Sequence, residues 1–469
     1  MAKHKCIDAV QLKKALGPDF ERLVEDVAGA VSQAPDGAII AGSEFQVRDL
    51  LARFRQTVYE KAIQMQVDAA EAAFPPRDRP DGRRPRDKGL QEVGHVTVNG
   101  AIRIARRVYW SPPTGSQRPM DAWLGIEEAS VSRGARELCT LAAMASSSFA
   151  KGTELLWRLG QLKVSDEQLR VTAETEGRRV QEAVEQGRLD PGWTAANCAV
   201  TPRGTKEMDL GCDGVMVPVI TAGEKAKRRG RQRRRTKAKR TPLVRRLFKG
   251  SEHPWTEFKI AGFYDPSGTH VFALGTSGNA DQLGRLMRRT AGQLKLEEAE
   301  EHVAIVDGAK WIGQQLATRL PMVETQILDY YHLMEHVGEA AVECFGAGRP
   351  ETQAWVEAAS AAALEEGATG LLVKVHETKR TTRTPAKREA LKKLEQYVVN
   401  HGTMLDYPRY RACGYAIGSG QTESLCGTLT TRVKGGRGKR WNPPNAEGLL
   451  ALAALKHSHL WQKWWAAPA

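Results

Sequence analysis

Three acidic residues in the second half of the chain have the type and placement to hold divalent metal ions. Asp213 and Asp307 each follow a strand-like segment and precede a glycine, and Glu423 lies just inside a candidate helix opened by Gly418-Ser419-Gly420. Phosphoryl transfer by two metals needs carboxylates that hold Mg²⁺ ions about 4 Å apart, and oxygen ligands suit Mg²⁺. These residues are therefore the candidate ligands and catalytic groups of a site with two Mg²⁺ ions, for which Mn²⁺ could substitute.

Each of these residues has a simpler interpretation when it is taken alone. Among 55 carboxylates, some Asp-Gly pairs after strands are expected as turns, and for Asp213 a turn is the commoner reading. Asp307 carries more weight, because a carboxylate at a strand–helix junction lies at the usual ligand edge of a parallel sheet. Glu423 alone is almost no evidence for a catalytic site. The prediction depends on all three in the right order of elements.

A second constellation is Asp329-Tyr330-Tyr331-His332, at the end of the next predicted strand. His336 follows one helical turn later, and an i, i+4 histidine pair can bind a metal on one helix face. Without a nearby cysteine or third ligand, we expect Asp329 and His332 to support the active site by hydrogen bonding to DNA or to its carboxylates. A partly buried histidine with a purely structural role is the alternative.

The chain has 69 Lys and Arg against 55 Asp and Glu, a net charge of +14, which favours a polyanionic partner. Fourteen Lys and Arg lie between Lys225 and Lys249 without a single acidic residue, so the rest of the chain is neutral overall. Such a segment cannot form a core, and we predict a solvated loop that neutralises DNA phosphates. Its predicted DNA contacts are Arg228, Arg229, Arg231, Arg233, Arg234, Arg235, Lys237, Lys239 and Arg240.

A second basic patch directly follows the candidate Glu423 helix. Its glycines permit close approach to phosphates, and its tryptophan could stack on an unpaired base. The predicted DNA contacts here are Arg432, Lys434, Arg437, Lys439, Arg440 and Trp441.

The elements that must position these residues begin at about residue 206, where strands alternate with helices. Residues 206–212 and 215–220 are predicted strands, and two further strands form a hairpin through Asp265-Pro266-Ser267-Gly268. Helix, strand, helix, strand and helix then follow. This order predicts an RNase H-like α/β catalytic domain with ligands at the carboxyl ends of its strands.

The preceding half of the chain is predicted to be a mostly α-helical DNA-binding region with a β-hairpin. Apolar spacing indicates two N-terminal helices, the second capped by Ser43, and Asn99-Gly100 marks the tight hairpin turn. Residues 149–187 resemble a helix-turn-helix with a capping box at Ser165 and Gln168, and an ordinary helical hairpin is equally compatible. The predicted divisions are an N-terminal helical region (1–74), a Pro/Arg-rich linker and hairpin (75–131), a helical DNA-binding region (132–205), the first catalytic part (206–337), a helical insertion (338–410) and the second catalytic part with the C-terminal tail (411–469).

Other features narrow the class of protein. Seven scattered cysteines without a Cys-x-x-Cys pair indicate reduced thiols rather than disulfides or a zinc site. The N-terminus has no apolar secretion signal, and the longest apolar run, residues 449–455, is far shorter than the roughly 20 residues of a bilayer crossing. We expect a cytoplasmic, nucleoid-associated protein without a membrane partner.

Five spaced motifs resemble the DDE insertion-sequence transposases of the ISKra type. They are CDGVMVPV (212–219), HPWTEFKIAGFYD (253–265), VAIVDGAKWI (303–312), ILDYYHLMEHV (327–337) and AIGSGQTES (416–424), and the similarity extends upstream to about residue 90. The resemblance implies an RNase H-like domain with a helical insertion, two Mg²⁺ ions held by Asp213, Asp307 and Glu423, and an Asp329-x-x-His332 element near the active site. Relatives often carry Cys-x-x-Cys-Gly where residues 111–115 read Ser-Pro-Pro-Thr-Gly, so no zinc is predicted.

The function that follows is an expectation. A DNA transposase would bind double-stranded DNA at the ends of an insertion sequence, hydrolyse a phosphodiester with Mg²⁺ and transfer the strand to target DNA, as a homodimer or higher oligomer. An RNase H-like nuclease or resolvase would use the same carboxylates without joining strands. A catalytically inactive regulator derived from a transposase would bind DNA only.

Overall fold

The computed structural model describes residues 7–112, 114–126, 130–237, 255–435 and 439–466, and for residues 231–237 it describes the backbone alone. The chain is a mixed α/β protein with one three-stranded and one five-stranded sheet. It divides into two units, Met1–Ala173 and Glu174–Ala469, each described here by itself. Within the described ranges, no helix combines the length and the apolarity that crossing a bilayer requires.

The first unit begins with a pair of helices, α1 (Ala9–Ser32) and α2 (Ile39–Ala70). Phe20 and Phe54 bring their rings to 6.1 Å between the two helices. The predicted cap at Ser43 is wrong, because α2 starts four residues earlier and the Ser43 hydroxyl donates to the Ile39 carbonyl at 2.7 Å. A serine can satisfy its hydroxyl in this way inside a helix, so its type alone does not mark a helix start.

The small sheet contains β1 (Arg86–Thr97), β2 (Gly100–Ser111) and β3 (Gly115–Gln117) in the order β1-β2-β3. The predicted hairpin is confirmed, but its turn residues are Val98 and Asn99 rather than Asn99 and Gly100, because Thr97 pairs with Gly100. β1 starts inside the predicted linker, directly after Pro85. As an edge strand, it tolerates such a neighbour.

The helices that follow are α3 (Asp121–Leu124), α4 (Arg133–Ala145), α5 (Phe149–Gly160) and α6 (Asp166–Glu185). The helix, turn and helix predicted around residues 149–187 are present as α5 and α6. The Ser165 hydroxyl accepts the Gln168 N–H at 3.1 Å and so caps α6.

The second unit contains five strands, β4 (Glu207–Pro218), β5 (Trp255–Tyr264), β6 (Val271–Thr276), β7 (Glu301–Val306) and β8 (Thr325–Leu328). They form one sheet in the order β6-β5-β4-β7-β8. β4 pairs antiparallel with β5 and parallel with β7, so the sheet is mixed. The two strands predicted at 206–212 and 215–220 are one continuous strand, and Asp213 lies inside it rather than at a strand end.

Four helices accompany these strands, and three of them follow the predicted order. The predicted basic loop after β4 is instead helical up to residue 237. Thr221 and Glu224 form a capping box at its start, because each side chain accepts the other residue's backbone N–H. Lys and Arg are good helix formers, which explains why charge did not exclude a helix. The four helices are α7 (Ala222–Lys237), α8 (Ala280–Gln293), α9 (Lys310–Arg319) and α10 (Tyr330–Phe345).

The predicted helical insertion consists of α11 (Pro350–Thr381, kinked at Gly367), α12 (Pro385–Asn400) and α13 (Tyr407–Ala412). These helices share a core with β7, β8 and α10, including Ile327, Leu371 and Leu394. The Tyr407 hydroxyl donates to the Leu328 carbonyl at 2.9 Å. The insertion is therefore joined to the sheet beside β8 by both packing and hydrogen bonding.

The chain then returns to the sheet through α14 (Gly420–Lys434), α15 (Pro443–His457) and α16 (Trp461–Ala466). α14 and α15 lie against glycines of the strands, where a β-carbon would approach Leu425 and Leu450 to 2.7 Å at Gly262 and Gly275 respectively. Small residues in β5 and β6 therefore permit close approach of these helices to the sheet.

Candidate active site

Asp213 and Asp307 are placed side by side by the parallel pairing of β4 and β7. Cys212 on β4 is the register partner of Val306 on β7. Asp213 directly follows Cys212, and Asp307 directly follows Val306. β7 ends at Val306, whereas β4 continues to Pro218, so the two carboxylates lie where the parallel pairing stops. This is the carboxyl end of β7, the edge of an α/β sheet at which ligands usually bind.

The surroundings of Asp213 disfavour its negative charge. Partial burial raises the pKa of Asp213, and the nearby charges of Asp307 and Glu257 raise it further. The Gly214 N–H and the Cys426 thiol act in the opposite direction by donating hydrogen bonds to the carboxylate. A cation bound between the two aspartates would relieve their repulsion, which is the electrostatic condition for a metal site.

α14 lies directly against β4 beside these carboxylates. A β-carbon at Gly211 would stand 1.7 Å from the Thr422 hydroxyl oxygen, so only glycine permits this approach. The Tyr264 hydroxyl lies 3.4 Å from the same oxygen. One turn further along α14, Cys426 donates to Asp213. The first turns of α14 are thereby fixed next to the aspartate pair.

Glu423 lies in the first turn of α14, three residues before Cys426 and therefore adjacent to it on the helix surface. Its side chain is exposed, whereas the flanking Thr422 is buried. In the part of the chain that the structure describes, no three or more His, Cys, Asp or Glu side chains are grouped so as to hold a metal ion. The structure brings Asp213 and Asp307 together. Glu423 is exposed on the neighbouring helix α14 and is not grouped with them.

Asp329 connects the end of β8 to the segment that precedes α14. It is buried, and it caps α10 by accepting the Tyr331 N–H at 2.9 Å. Its second oxygen accepts a hydrogen bond from the Ser419 hydroxyl, immediately before α14. The neighbouring Tyr330 N–H donates to the Ile417 carbonyl at 2.9 Å. Asp329 therefore anchors the start of the helix that carries Glu423.

His332 and His336 lie one turn apart on α10, with their ring centroids 5.1 Å apart. His332 Nδ1 is 3.2 Å from a carboxylate oxygen of Glu335. Burial and the proximity of His332 lower the pKa of His336. The His336 ring lies 4.1 Å from the ring of Tyr397 on α12, so this histidine pair faces the insertion.

Two residues that the sequence did not single out hold the backbone around Asp307. The Tyr397 hydroxyl donates to the Asp307 carbonyl at 3.3 Å, and His401 Nε2 lies 3.0 Å from the Gly308 carbonyl oxygen. The sequence shows that they lie four residues apart at the end of a predicted helix. Nothing in the sequence linked them to a strand end some 90 residues earlier.

A buried acidic pair on β4, Glu207 and Asp209, was also missed. Burial raises the pKa of Asp209 well above its usual value, and the adjacent Glu207 raises it further. Their side chains are hydrogen-bonded to each other, and Arg203 pairs with Glu207 at 2.6 Å. Burial and the contact between the two carboxyl groups therefore both favour the protonated form of Asp209.

The basic residues predicted to contact DNA fall into three groups. Arg228 and Arg229 are exposed on α7, together with Lys225 and Lys227. The backbone of Arg231, Arg233, Arg234, Arg235 and Lys237 belongs to α7, and the structure does not describe their side chains. Lys239, Arg240 and Arg437 lie outside the described residues.

The second basic patch runs beside the end of β4, at the start of α7. The Trp441 N–H donates to the Pro218 carbonyl at 3.1 Å, and the Ile220 N–H donates to the Trp441 carbonyl at 2.8 Å. Arg440 lies in the same segment and donates to the Val219 carbonyl at 3.3 Å. The two basic segments, more than 200 residues apart in sequence, therefore meet at one end of β4.

Arg432 and Trp441 contact each other, and Trp441 is half-buried. Arg432 is buried, and its guanidinium carbon lies 5.0 Å from the centre of the Trp441 ring. The indole N–H of Trp441 donates to the Val433 carbonyl at 3.0 Å. This cation–π pair fastens the basic patch to α14, whereas Lys434 is exposed at the end of that helix.

Comparison with known proteins finds similar chains among the solved structures. No protein-family model matches the chain, and no curated protein matches it. Among solved structures it is similar to the "Drosophila P element transposase strand transfer complex", with 11% sequence identity over 73% of this chain and 83% of that chain and a TM-score of 0.25. A similarity this weak does not establish a common fold.

Proposed function

We propose that the protein is a Mg²⁺-dependent DNA transposase of the DDE class, related to the ISKra type, with an RNase H-like catalytic domain. The observation that carries this proposal is the placement of Asp213 and Asp307 at the same level of two parallel strands, with α14 packed beside them. The order of three antiparallel strands followed by helix, strand, helix, strand and helix supports the RNase H-like assignment.

The donor chemistry of the aspartate pair fits Mg²⁺. Both residues offer carboxylate oxygens, and their mutual repulsion would be relieved by a divalent cation. Asp213 and Asp307 would hold the metal, and Glu423 would complete the set from the adjacent exposed helix turn. Bound Mg²⁺ supplies Lewis acidity and a water of lowered pKa. Asp329 would keep the Glu423 helix in place through Ser419.

The basic helix and the second basic patch support DNA as the partner. α7, with its exposed cations, begins just after the end of β4, the strand that carries Asp213. Lys439 and Arg440 precede Trp441, which is hydrogen-bonded to the same end of β4. A surface that neutralises phosphates at the end of the strand that carries Asp213 would position the backbone of DNA without reading its sequence. Buried Arg432 is not part of this proposed surface, and the Trp441 ring stabilises it from inside.

The decisive experiment replaces one carboxylate with its amide. Asp307→Asn should abolish Mg²⁺-dependent cleavage of DNA carrying the element's ends while DNA binding survives, because the amide keeps the side-chain size and removes a charged ligand. Asp190→Asn, which changes a surface aspartate paired with Lys463 at 2.6 Å, is the matched control and should retain cleavage.

The outcomes separate the alternative functions. Cleavage followed by joining of the freed 3′-end to target DNA supports a transposase, whereas cleavage without joining indicates a nuclease or resolvase. DNA binding without any metal-dependent cleavage by the unaltered protein indicates a regulator. Cleavage undiminished in Asp307→Asn would refute the assignment of the carboxylates.

A further inference from the structure

The backbone that carries Asp307 is held from outside the sheet by two side chains of the insertion. Tyr397 and His401 lie four residues apart at the end of α12, on one side of the helix. The Tyr397 hydroxyl donates to the carbonyl of Asp307 itself at 3.3 Å, and His401 Nε2 lies 3.0 Å from the carbonyl oxygen of the next residue, Gly308. Two consecutive carbonyl groups are therefore held by one helix.

The fit between His401 and Gly308 is close. Gly308 has φ +83°, a conformation that favours glycine. A β-carbon there would lie 2.8 Å from both His401 Nε2 and a Leu328 methyl carbon. The Asp307 carboxylate also accepts the Ala309 N–H at 2.8 Å, which closes the turn on its other side. The turn is thus contacted from the insertion as well as closed by its own carboxylate.

The two side chains are themselves held in place by aromatic contacts. The Tyr397 ring lies 4.5 Å from the His401 ring and 4.1 Å from the His336 ring, between centroids. His401 Nδ1 lies 2.9 Å from the Tyr397 carbonyl oxygen. Buried neighbours Leu394 and Val398 anchor this stretch of α12 in the core. A rigid support of this kind reduces the conformational freedom of the turn before any ligand binds.

We infer that Tyr397 and His401 are positioning residues, by which the helical insertion sets the Asp307 carboxylate for metal binding. The inference rests on the proposed function, because it assigns a purpose to the turn that carries a proposed metal ligand. Groups that orient a ligand without touching the metal commonly change metal affinity about 10- to 100-fold when they are removed. The insertion would therefore act on the metal site through two hydrogen bonds to its backbone.

The test uses the full chain and Mn²⁺ as the probe, followed by electron paramagnetic resonance, alongside Mg²⁺ titration of DNA cleavage. His401→Ala should weaken Mn²⁺ binding and raise the half-saturating Mg²⁺ concentration by about tenfold, with DNA affinity unchanged. His401→Gln, whose amide can donate to the Gly308 carbonyl, should recover part of the loss. His376→Ala is the control, because His376 belongs to the insertion but pairs with Glu395 at its surface.

Tyr397→Phe keeps the aromatic ring and removes only the hydroxyl, so it decides the matter if His401→Ala fails to fold. It should weaken Mn²⁺ binding by a smaller factor without changing the melting temperature of the metal-free protein. Unchanged Mn²⁺ affinity in both folded variants, or an equal loss in His376→Ala, overturns the inference. Failure of the unaltered protein to cleave DNA overturns the proposed function instead, while its Mn²⁺ affinity still decides the role of the two residues.

Discussion

At the scale of single residues, Glu207 and Asp209 create a dependence of stability on pH. Both have their pKa raised by burial, which means that the folded protein holds a proton that the unfolded chain would release. A raised carboxyl pKa stabilises the fold below the unfolded value of about 4, and that contribution is lost as pH rises through the folded value. The free energy of unfolding should therefore decline as pH rises above about 4, the pKa of an unfolded carboxyl group.

Asp209→Asn tests this assignment, because asparagine keeps the shape of the neutral acid and can donate to Glu207 without a titrating proton. We expect the variant to lose less stability than the unaltered protein between pH 5 and pH 8, with a gain of about 1–3 kcal/mol at pH 8. Chemical denaturation at several pH values measures it. Asp190→Asn should leave the decline unchanged, since interaction with Lys463 lowers the pKa of that exposed aspartate. A parallel decline in both variants would contradict the prediction.

The place of a residue in the candidate site was predictable where a local sequence pattern indicates it. Asp307 stood out as a carboxylate after a short apolar strand, and the register places it next to Asp213. Tyr397 and Cys426 carried no such pattern, because their relation to the aspartates arises only from the packing of α12 and α14. Contacts between distant segments depend on how elements are oriented, which the sequence does not state locally.

At the scale of elements, the close packing of α14 on β4 depends on Gly211. Alanine there would place a methyl carbon 1.7 Å from the Thr422 hydroxyl oxygen, so α14 would have to move away from the strand. We expect Gly211→Ala to cost about 1–3 kcal/mol of unfolding free energy and to reduce cleavage, since the same helix turn carries Glu423. Thermal or chemical denaturation and a cleavage assay measure the two effects.

Two further variants isolate this contact. Gly211→Ala combined with Thr422→Ala should recover part of the lost stability, because the clashing hydroxyl is gone. Gly427→Ala, in the same helix, meets no atom within 4 Å and should be neutral or stabilising by up to about 1 kcal/mol. If Gly211→Ala behaved like Gly427→Ala, the described approach of α14 would be wrong.

The order of elements in the second unit was predictable, whereas two details were not. The alternation of strands and helices predicted the order of elements from β5 to α10, because hydrophobic periodicity changes clearly at each junction. Gly214 suggested a break at Asp213, yet pairing with Lys259 carries β4 through it. The basic segment suggested a loop, yet the Thr221–Glu224 capping box starts a helix. In both cases hydrogen bonding to a specific partner outweighed the local preference.

At the scale of the whole molecule, the charge of +14 is concentrated rather than spread. Residues 222–237 form a helix, so the proposed DNA surface extends along this helix from the end of β4. Lys439 and Arg440 return to the same place through the Val219–Trp441 bridge. The proposed DNA surface is therefore concentrated at the end of the strand that carries Asp213.

The last prediction concerns how this surface responds to salt. Replacing Lys225, Lys227, Arg228 and Arg229 with glutamine keeps a helix-forming sequence and removes four charges. If each contacts a phosphate, the slope of log K against log salt concentration should become shallower by about 3–4, because fewer counterions are released from DNA. Binding measured by fluorescence anisotropy between about 50 and 200 mM salt gives the slope.

A matched variant separates the location of the charge from its total. Glutamine at Arg380, Arg383, Lys392 and Lys393 removes four exposed charges from the insertion and gives the same net charge. Its salt slope should stay close to that of the unaltered protein, because counterion release counts phosphate contacts rather than overall charge. Equal slopes in the two variants would mean that DNA responds to the net charge of the molecule, and α7 would lose its assigned role.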